Sequence, residues 1–308
     1  MDTPLSVVMV NYYSERDLEE CMTSFQKFEP ALQYEWIVID NGSDGDDLRR
    51  SLRAFAPGLG MELIQNRENM GFARAVNQGV ALSHGKYILL LNPDMLLVEN
   101  SISQMMDFLD QHPEVGVVGC KHIWISGKHN VGDAGYYPAV GRALNHAFFL
   151  SRFFPNTFRG MYVMNEPKGS LPFEVDWVSG GCLLLRKEIF HQTGGMDETL
   201  FLYSEDIEWC SRVRGLGWEI YYLPYTHTIH NRWKNPLGGG DPGLWLKNLR
   251  KIYRRNHPEA LAYIFSFIVI SGLILRLLIY FFLHLFSKDP EDMVRAKTLL
   301  RSVFAYFR

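Results

Sequence analysis

Cysteine is scarce. The 308 residues hold four, Cys21, Cys120, Cys182 and Cys210, far apart and without CxxC spacing. That argues against a disulfide framework and against a cysteine-ligated zinc site. A surplus of positive charge is missing too: 31 Lys+Arg face 34 Asp+Glu, a formal net charge of −3. Nucleic acid is therefore not an expected partner. Only one stretch is long and greasy enough to concern a bilayer, which excludes a polytopic membrane protein. No signal-peptide pattern opens the chain, because Ser6–Val10 already reads as a strand behind the acidic Asp2. A reducing, cytosolic setting is expected. Internal repeats and low-complexity tracts are absent. What is present is a 47% hydrophobic composition, enough to fill a core and to exclude wholesale disorder.

The first 125 residues alternate strand-like and helix-like segments. Apolar runs at Val7–Val10, Trp36–Ile39, Met61–Ile64, Tyr87–Leu91 and Val115–Gly119 predict strands. Helical spacing is found over Glu15–Phe28, Arg49–Phe55, Phe72–Ser83 and Ser101–Gln111. This order predicts an α/β fold with a mainly parallel sheet covered on both faces. Ligands of such sheets bind beyond the carboxyl ends of the strands, so the loops after Val10, Ile39 and Leu91 come first. Residues 126–175, rich in Gly, Pro, Asn and aromatics, read as a loop-rich insertion. Order returns over Val175–Arg186, as a helix from Glu205 to Leu216 and as a strand from Glu219 to Leu223. Three consecutive glycines, Gly238 to Gly240, suggest a mobile loop over 234–243.

The tail has a different character. Ala260–Leu275 carries no charge; Arg276 follows, then uncharged residues to Ser287. A buried helix, a single span and an in-plane segment all fit that length. Arg276 would sit near the middle of a span, at a cost of several kcal/mol. Basic residues also flank the stretch on both sides: Lys247, Arg250, Lys251, Arg254 and Arg255 before it, and Lys288, Arg295, Lys297, Arg301 and Arg308 after it. Cytoplasmic flanks on both sides favour a monotopic or re-entrant segment. Gly272, Arg276, Tyr280 and His284 recur every fourth residue and could form its polar stripe. Beyond Pro290, Met293, Ala296, Leu300, Val303 and Phe307 suggest an interfacial amphipathic helix. The expected division is a catalytic domain over 1–245, with halves 1–120 and 121–245, and a membrane-associating tail over 246–308.

Several residues could carry chemistry. Asp40 closes a strand before the turn Asn41-Gly42-Ser43-Asp44-Gly45, where it could accept an N–H from a base or a ribose hydroxyl, or simply serve the turn. In Glu68–Gly79, Gly71 permits close backbone approach, the helix start could face a phosphate and Arg74 could add charge. Asn77 reads better as a structural hydrogen bonder. The apolar Leu89–Leu91 ends in Asn92-Pro93-Asp94, and Asp94 suits a hard cation such as Mg²⁺ or Mn²⁺. Glu205, Asp206 and Glu208 crowd three carboxylates at a helix start. The helix dipole favours them there, and one could also be a general base. His227 and His230, usually structural at such places, become metal-ligand candidates beside a metal-suited Asp.

The ordered set VVMVNYYSERDLEECMTSF, VIDNGSDG, ENMGFARAVNQG, LLLNPDM, WVSGGCLLLRKEIFHQTGGMDE and FLYSEDIEWCSRVRGLGW resembles glycosyltransferase family 2 enzymes of the GT-A fold. It looks most like their rhamnosyltransferase-like branch in bacterial surface polysaccharide assembly, over roughly residues 5–235. The resemblance implies a Rossmann-like nucleotide-binding mixed sheet flanked by helices. It implies that Val10 and Asn11 line the nucleotide site, that Asp40 contacts a pyrimidine base and that Gly71 and Arg74 lie near the donor. Asn92-Pro93-Asp94 takes the place of the family's Asp-x-Asp metal motif; its first position is Asn, so ligation falls mainly on Asp94. Asp206 of the Glu205-Asp206 pair matches the catalytic base, and His230 a histidine that ligates the metal in some relatives. Trp177, Gly180 and Gly181 match the segment bordering donor sugar and acceptor.

The implied chemistry is inverting, metal-dependent transfer from a dTDP-sugar or UDP-sugar to a membrane-anchored glycolipid at the cytoplasmic face of the membrane. Self-association into a homo-oligomer is compatible with it. Two alternatives come from other classes: a sugar nucleotidyltransferase, and a catalytically inactive membrane-bound nucleotide-sugar-binding scaffold. The first would show a Gly-rich basic loop after the first strand, and Val10–Ser14 is not one. The near-neutral total hides two opposite pieces. Residues 246–308 hold 11 Lys+Arg against 4 Asp+Glu, and residues 1–245 hold 20 against 30. An acidic head that binds an anionic donor needs a cation, and a basic greasy tail suits an anionic leaflet.

Overall fold

The structure, a computed structural model, describes residues 4–43, 47–52, 55, 60–155, 157–164, 171–231, 243–288 and 290–307. The loop expected over 234–243 lies almost wholly outside these residues, as do Asp44 and Gly45 of the turn after Asp40. The chain forms two compact units, Met1–Ala134 with Glu166–Arg232, and Gly135–Asn165 with Trp233–Arg308.

The elements run β1 (Leu5–Asn11), α1 (Glu15–Phe28), β2 (Tyr34–Asp40), α2 (Asp47–Leu52), β3 (Met61–Gln65), α3 (Phe72–Leu82), β4 (Tyr87–Leu91), β5 (Met95–Leu97), α4 (Ser101–Gln111), β6 (Val115–Trp124) and β7 (Ala134–Gly135). Then come α5 (Val140–Ala147), α6 (Leu150–Phe153), β8 (Phe173–Glu174), β9 (Trp177–Val178), β10 (Cys182–Arg186), α7 (Lys187–Thr193), α8 (Glu205–Gly215) and β11 (Glu219–His230). Finally α9 (Leu244–Asn256), α10 (Glu259–Ser287) and α11 (Pro290–Tyr306) close the chain.

Among the described residues, the first unit holds a nine-stranded sheet in the order β3-β2-β1-β4-β10-β6-β11-β5, with β8 on β11. Strands β3, β2, β1 and β4 are parallel. β2 and β4 are buried throughout, as strands covered on both faces must be, which explains their unbroken apolar runs. Phe25 of α1 meets Tyr34 and Trp36 of β2 edge to face, at centroid distances of 4.7 and 5.0 Å. Glu29, at the end of α1, caps another helix: its Oε1 accepts from the backbone N–H of Ile102 (2.7 Å) and Ser103 (3.1 Å) in α4.

Two departures from parallel order build the site edge. β10 runs antiparallel to β4, pairing Cys182 with Leu91. The Gly180–Gly181 approach to β10 therefore arrives where Asn92 leaves β4. β11 runs on to His230 rather than ending at Leu223. Pro224 cannot donate to a ladder, and the register against β6 shifts between Leu223 and His227, which bulges the strand without ending it. Glu99 holds the bulge by accepting from Thr226 Oγ1 (3.1 Å) and His227 N (2.8 Å). Past it, His230 pairs with Met95 of β5, the residue after Asp94.

In the second unit, residues 135–165 group with the tail, whereas the sequence suggested a boundary at 245 and a loop-rich segment over 126–175. The insertion carries helices α5 and α6, and α5 packs against α10. Gly272 allows it: a Cβ there would stand 2.7 Å from that of Ala147. The tail helix α10 is long and apolar enough to cross a membrane by length and composition, with a mean hydropathy of 2.4. Helix α11 packs on it through Ala296, Ser302 and Asp292, which are buried. Of Met293, Ala296, Leu300, Val303 and Phe307, Ala296 is buried, Met293 and Val303 are half-buried, and Leu300 and Phe307 are exposed.

Candidate active site

Three clusters lie along the carboxyl edge of the first unit's sheet. The first joins the ends of β1 and β2. Asn11 stands opposite Asp40 in the register, and its Nδ2 donates to Asp40 Oδ1 (3.1 Å) and Ser43 Oγ (3.3 Å). Its Oδ1 accepts from Ser14 Oγ (2.9 Å), tying down the turn after β1. Asp40 is buried, and Val10 is half-buried beside it. Tyr12 and Tyr13 are exposed on this turn, with Tyr13 at φ +49°.

Asn41, buried next to Asp40, organises the following loop. Its Oδ1 accepts from Met70 N (3.0 Å) and Asn66 Nδ2 (3.1 Å), and its Nδ2 donates to Asn69 Oδ1 (2.9 Å) and Gly71 O (3.2 Å). Gly71 sits at φ +85°, and a Cβ there would stand 2.6 Å from Phe201 O. Only glycine tolerates both demands. Arg74 is half-exposed, with Nε 3.8 Å from Glu198 Oε2. Asn77 stitches α3 to the next loop, donating to Met196 O (3.0 Å) and accepting from Met196 N (2.8 Å).

The second cluster is built on Gly180 and Gly181. Asn92 N donates to Gly181 O (2.9 Å), and Gly180 N donates to Asp206 Oδ2 (3.2 Å). The two glycines thus join the Asn92-Pro93-Asp94 turn to the start of α8. Ile207 N also donates to Asp206, at Oδ1 (2.8 Å). The turn before α8 holds Tyr203 and Ser204 at φ +69° and +68°, strained values for residues with side chains. Burial pushes the Asp206 carboxyl up, and the N–H groups of Gly180 and Ile207 oppose that by stabilising its charge. Burial and then the neighbouring Asp206 push Glu205 up to about 8. Glu205 Oε2 has no hydrogen-bond partner among the described residues. At neutral pH Glu205 therefore holds a proton, and two backbone N–H groups aim at the Asp206 carboxyl. Trp177 is buried in the core; its segment reaches the site through Gly180 and Gly181.

The third cluster joins Asp94 and His230, with Nε2 and Oδ2 2.9 Å apart. His230 lies flat against Trp124, rings stacked at 5.3 Å, and its Nδ1 is 2.7 Å from Asn130 Nδ2. The Asn130 amide thus orients the imidazole, with Nε2 turned toward Asp94. His227 faces away from this pair, with Nδ1 2.9 Å from Glu99 Oε1. Asp133 braces the cluster from below: its Oδ2 accepts from His122 N (3.0 Å) and Tyr222 OH (2.7 Å), with His129 Nε2 at 2.9 Å. A carboxylate and an imidazole within 2.9 Å fit a divalent cation, with other positions open to substrate oxygens and water. No group of three His, Cys, Asp or Glu side chains able to hold a metal occurs among the described residues.

Sequence reasoning missed Asn41, Glu99, Asn130 and Asp133. Asn41 had one signal, its place within the turn after Asp40. Asn130 and Asp133 lie in the insertion, where no periodicity marks them.

A mixed sheet with these three clusters at its carboxyl edge is the frame of a GT-A glycosyltransferase. The model of the glycosyl transferase family 2 matches residues 6–194, and the chain belongs to that family. It is a glycosyltransferase of the rhamnosyltransferase-like branch. The N-acetylglucosaminyl-diphospho-decaprenol L-rhamnosyltransferase of Mycobacterium tuberculosis is 28% identical over 258 residues, 80% of this chain and 81% of that protein. The rhamnosyltransferase WbbL of Escherichia coli is 26% identical, over 64% of this chain and 72% of its own length. Among solved structures, the mannosyltransferase PcManGT from Pyrobaculum calidifontis, in complex with GDP-Man and Mn²⁺, aligns at a TM-score of 0.64. It is 13% identical and covers 98% of this chain and 86% of that one.

Proposed function

We propose that the protein is an inverting, metal-dependent glycosyltransferase that moves a sugar, rhamnose in the first instance, from a dTDP-sugar or UDP-sugar to a hydroxyl of a lipid-linked glycan in surface polysaccharide assembly. The observation that carries this reading is the Gly180–Gly181 bridge, hydrogen-bonded on one side to Asp206 and on the other to the Asn92-Pro93-Asp94 turn. It links a charged, oriented carboxylate to the segment suited to a diphosphate.

Asp206 is the base. Its two backbone N–H partners fix its orientation and favour its charged form, while Glu205 beside it stays protonated. As the acceptor oxygen attacks the anomeric carbon, its proton passes to Asp206. The bond from that carbon to the diphosphate breaks on the opposite side, so the configuration inverts in one displacement. Asn11, Asp40 and the Gly71 loop form the bed for the nucleotide, and Arg74 supplies charge nearby. Asp94 and His230 would hold the cation, which when bound supplies Lewis-acid charge to the leaving diphosphate. Holding donor and acceptor in line provides a large share of the acceleration.

The mycobacterial relative is named for a diphospho-decaprenol carrier, which supports a lipid-linked acceptor. The apolar α10 and the basic tail support attachment at the cytoplasmic face of the membrane, as a monotopic element. A thermal-shift screen of nucleotide sugars with and without Mn²⁺ tests the donor site: dTDP-rhamnose or a UDP-sugar should stabilise the fold, and more so with the metal. Stabilisation by none of them would overturn the reading.

A further inference from the structure

We propose that the corner between α5 and α6 is a second membrane-inserting element, an aromatic wedge of Phe148, Phe153 and Phe154 that is latched to α10 by Arg276 and seats in an anionic phospholipid bilayer. The inference rests on the membrane part of the proposed function and adds a part of the chain remote in sequence from the tail.

Exposure comes first. Phe148, Phe153 and Phe154 are 53, 70 and 58% exposed, within a few residues of one another. One exposed phenylalanine needs no explanation, but three on one corner of an insertion do. The backbone is arranged to make them so. Phe149, between them in sequence, sits at φ +60° in the left-handed region, where an aromatic residue is strained. That kink lays Phe149 under Arg276, with the guanidinium carbon 4.5 Å from the ring centroid.

Arg276 explains the setting. Its guanidinium donates to His146 O (2.5 Å) and Ala147 O (3.4 Å), in the last turn of α5, and to Gly272 O (3.0 Å). In water, carbonyls at a helix end are satisfied by solvent. Capping them with a cation drawn from the middle of an apolar helix suits a place where water is scarce. Burial and then the charge of Arg276 push His146 down to about 4, so His146 adds no charge beside Arg276 at neutral pH. The stripe of Gly272 and Arg276 expected to face polar surroundings thus faces α5.

The bilayer is favoured over a protein partner by continuity and by charge. The buried residues of α10 all fall between Ala262 and Leu273. Beyond them Leu278, Phe281, Phe282, Leu283, Leu285 and Phe286 are exposed. The stretch from Ile274 to Ser287 is roughly 21 Å long at the usual helical rise, short of the roughly 30 Å hydrocarbon core. The α5–α6 corner meets α10 where this half begins, through Ala147 at Gly272 and Phe149 at Arg276. Arg152 on α6 and Lys297 and Arg301 on α11 are exposed, matching anionic headgroups.

The test uses the full chain. A single cysteine is introduced as Phe153→Cys or, as a reference, Phe282→Cys, and labelled with an environment-sensitive fluorophore; the four native cysteines are buried. Vesicles of equal parts phosphatidylcholine and phosphatidylglycerol are then added. Both probes should shift to the blue and be quenched by doxyl-labelled lipid. Replacing Phe153 and Phe154 together by Ser should weaken vesicle binding about tenfold, with an unchanged unfolding midpoint and unchanged donor binding. If the Phe282 probe is quenched while the Phe153 probe stays in water, the corner does not insert and the inference fails, with the membrane reading intact. If neither probe responds, the membrane reading itself fails. Equal binding to vesicles of phosphatidylcholine alone would overturn the anionic part.

Discussion

The two units handle large side chains in opposite ways. In the first, Phe25, Trp36, Tyr87 and Trp209 are fully buried around the sheet. In the second, α10 and α11 display Phe267, Phe282, Phe286 and Phe304. Buried charge is reversed as well. The first unit buries carboxylates such as Glu29, Asp40 and Asp133 and supplies them with N–H and O–H donors. The second partly buries a cation, Arg276, and supplies carbonyl oxygens. The difference matches the proposal that the second unit, and not the first, meets lipid. A unit working in water hides apolar groups and supplies buried acids with donors. A unit meeting lipid turns apolar groups outward and must satisfy helix ends from within.

The contrast can be broken at several points. The largest effect is expected at the base: Asp206→Asn should lower kcat by at least roughly a hundredfold, with donor binding unchanged by titration. Retention of more than about a tenth of wild-type kcat would remove Asp206 from that role. On the lipid side, replacing Phe281 and Phe282 together by Ser should weaken vesicle flotation by about thirtyfold while donor binding holds. Equal loss of both would erase the division of labour. Asn130→Leu should lower Mn²⁺ affinity about tenfold, read by electron paramagnetic resonance of free Mn²⁺, because His230 loses the partner that orients its ring toward Asp94.

A smaller effect concerns Glu205. The folded protein keeps its proton up to about pH 8, whereas an unfolded chain releases it near the ordinary carboxylate value. Stability from this group is present at low pH and is lost as pH rises across that window. Glu205→Gln should flatten the fall in unfolding midpoint between about pH 5 and about pH 8; an unchanged slope would place the proton elsewhere. The smallest is Glu29→Ala, which uncaps α4 and should cost about 1 kcal/mol, or a few degrees of Tm.

The strands and helices of the first unit were legible because apolar period and turn residues agree there. Glu15–Phe28, Tyr87–Leu91 and Ser101–Gln111 carry both signals. The extension of β11 was hidden by Pro224, which reads as a terminator unless a bulge is foreseen. The insertion was opaque because α5 and α6 are short and their apolar residues answer to α10, more than a hundred positions away. The packed side of α11 was not legible for a similar reason: it admits Ser302 and Asp292, which no apolar period marks. Within the site, acids and histidines announce themselves by type. Asn41 and Asn130 do not, since an asparagine's value lies in what its amide reaches.

The bulge in β11 has one more consequence. Strand side chains alternate between faces, so a strand normally ties the orientation of its last residue to that of its first. Between Leu223 and His227 the register slips, and that tie is cut. The half of β11 that fills the core and the half that presents His230 to Asp94 are out of step by design of the backbone. Substitutions that repack Ile220 or Tyr222 therefore need not rotate His230. The face of His230 is set instead by its own neighbours in the ladder, Met95 on one side and Trp124 on the other.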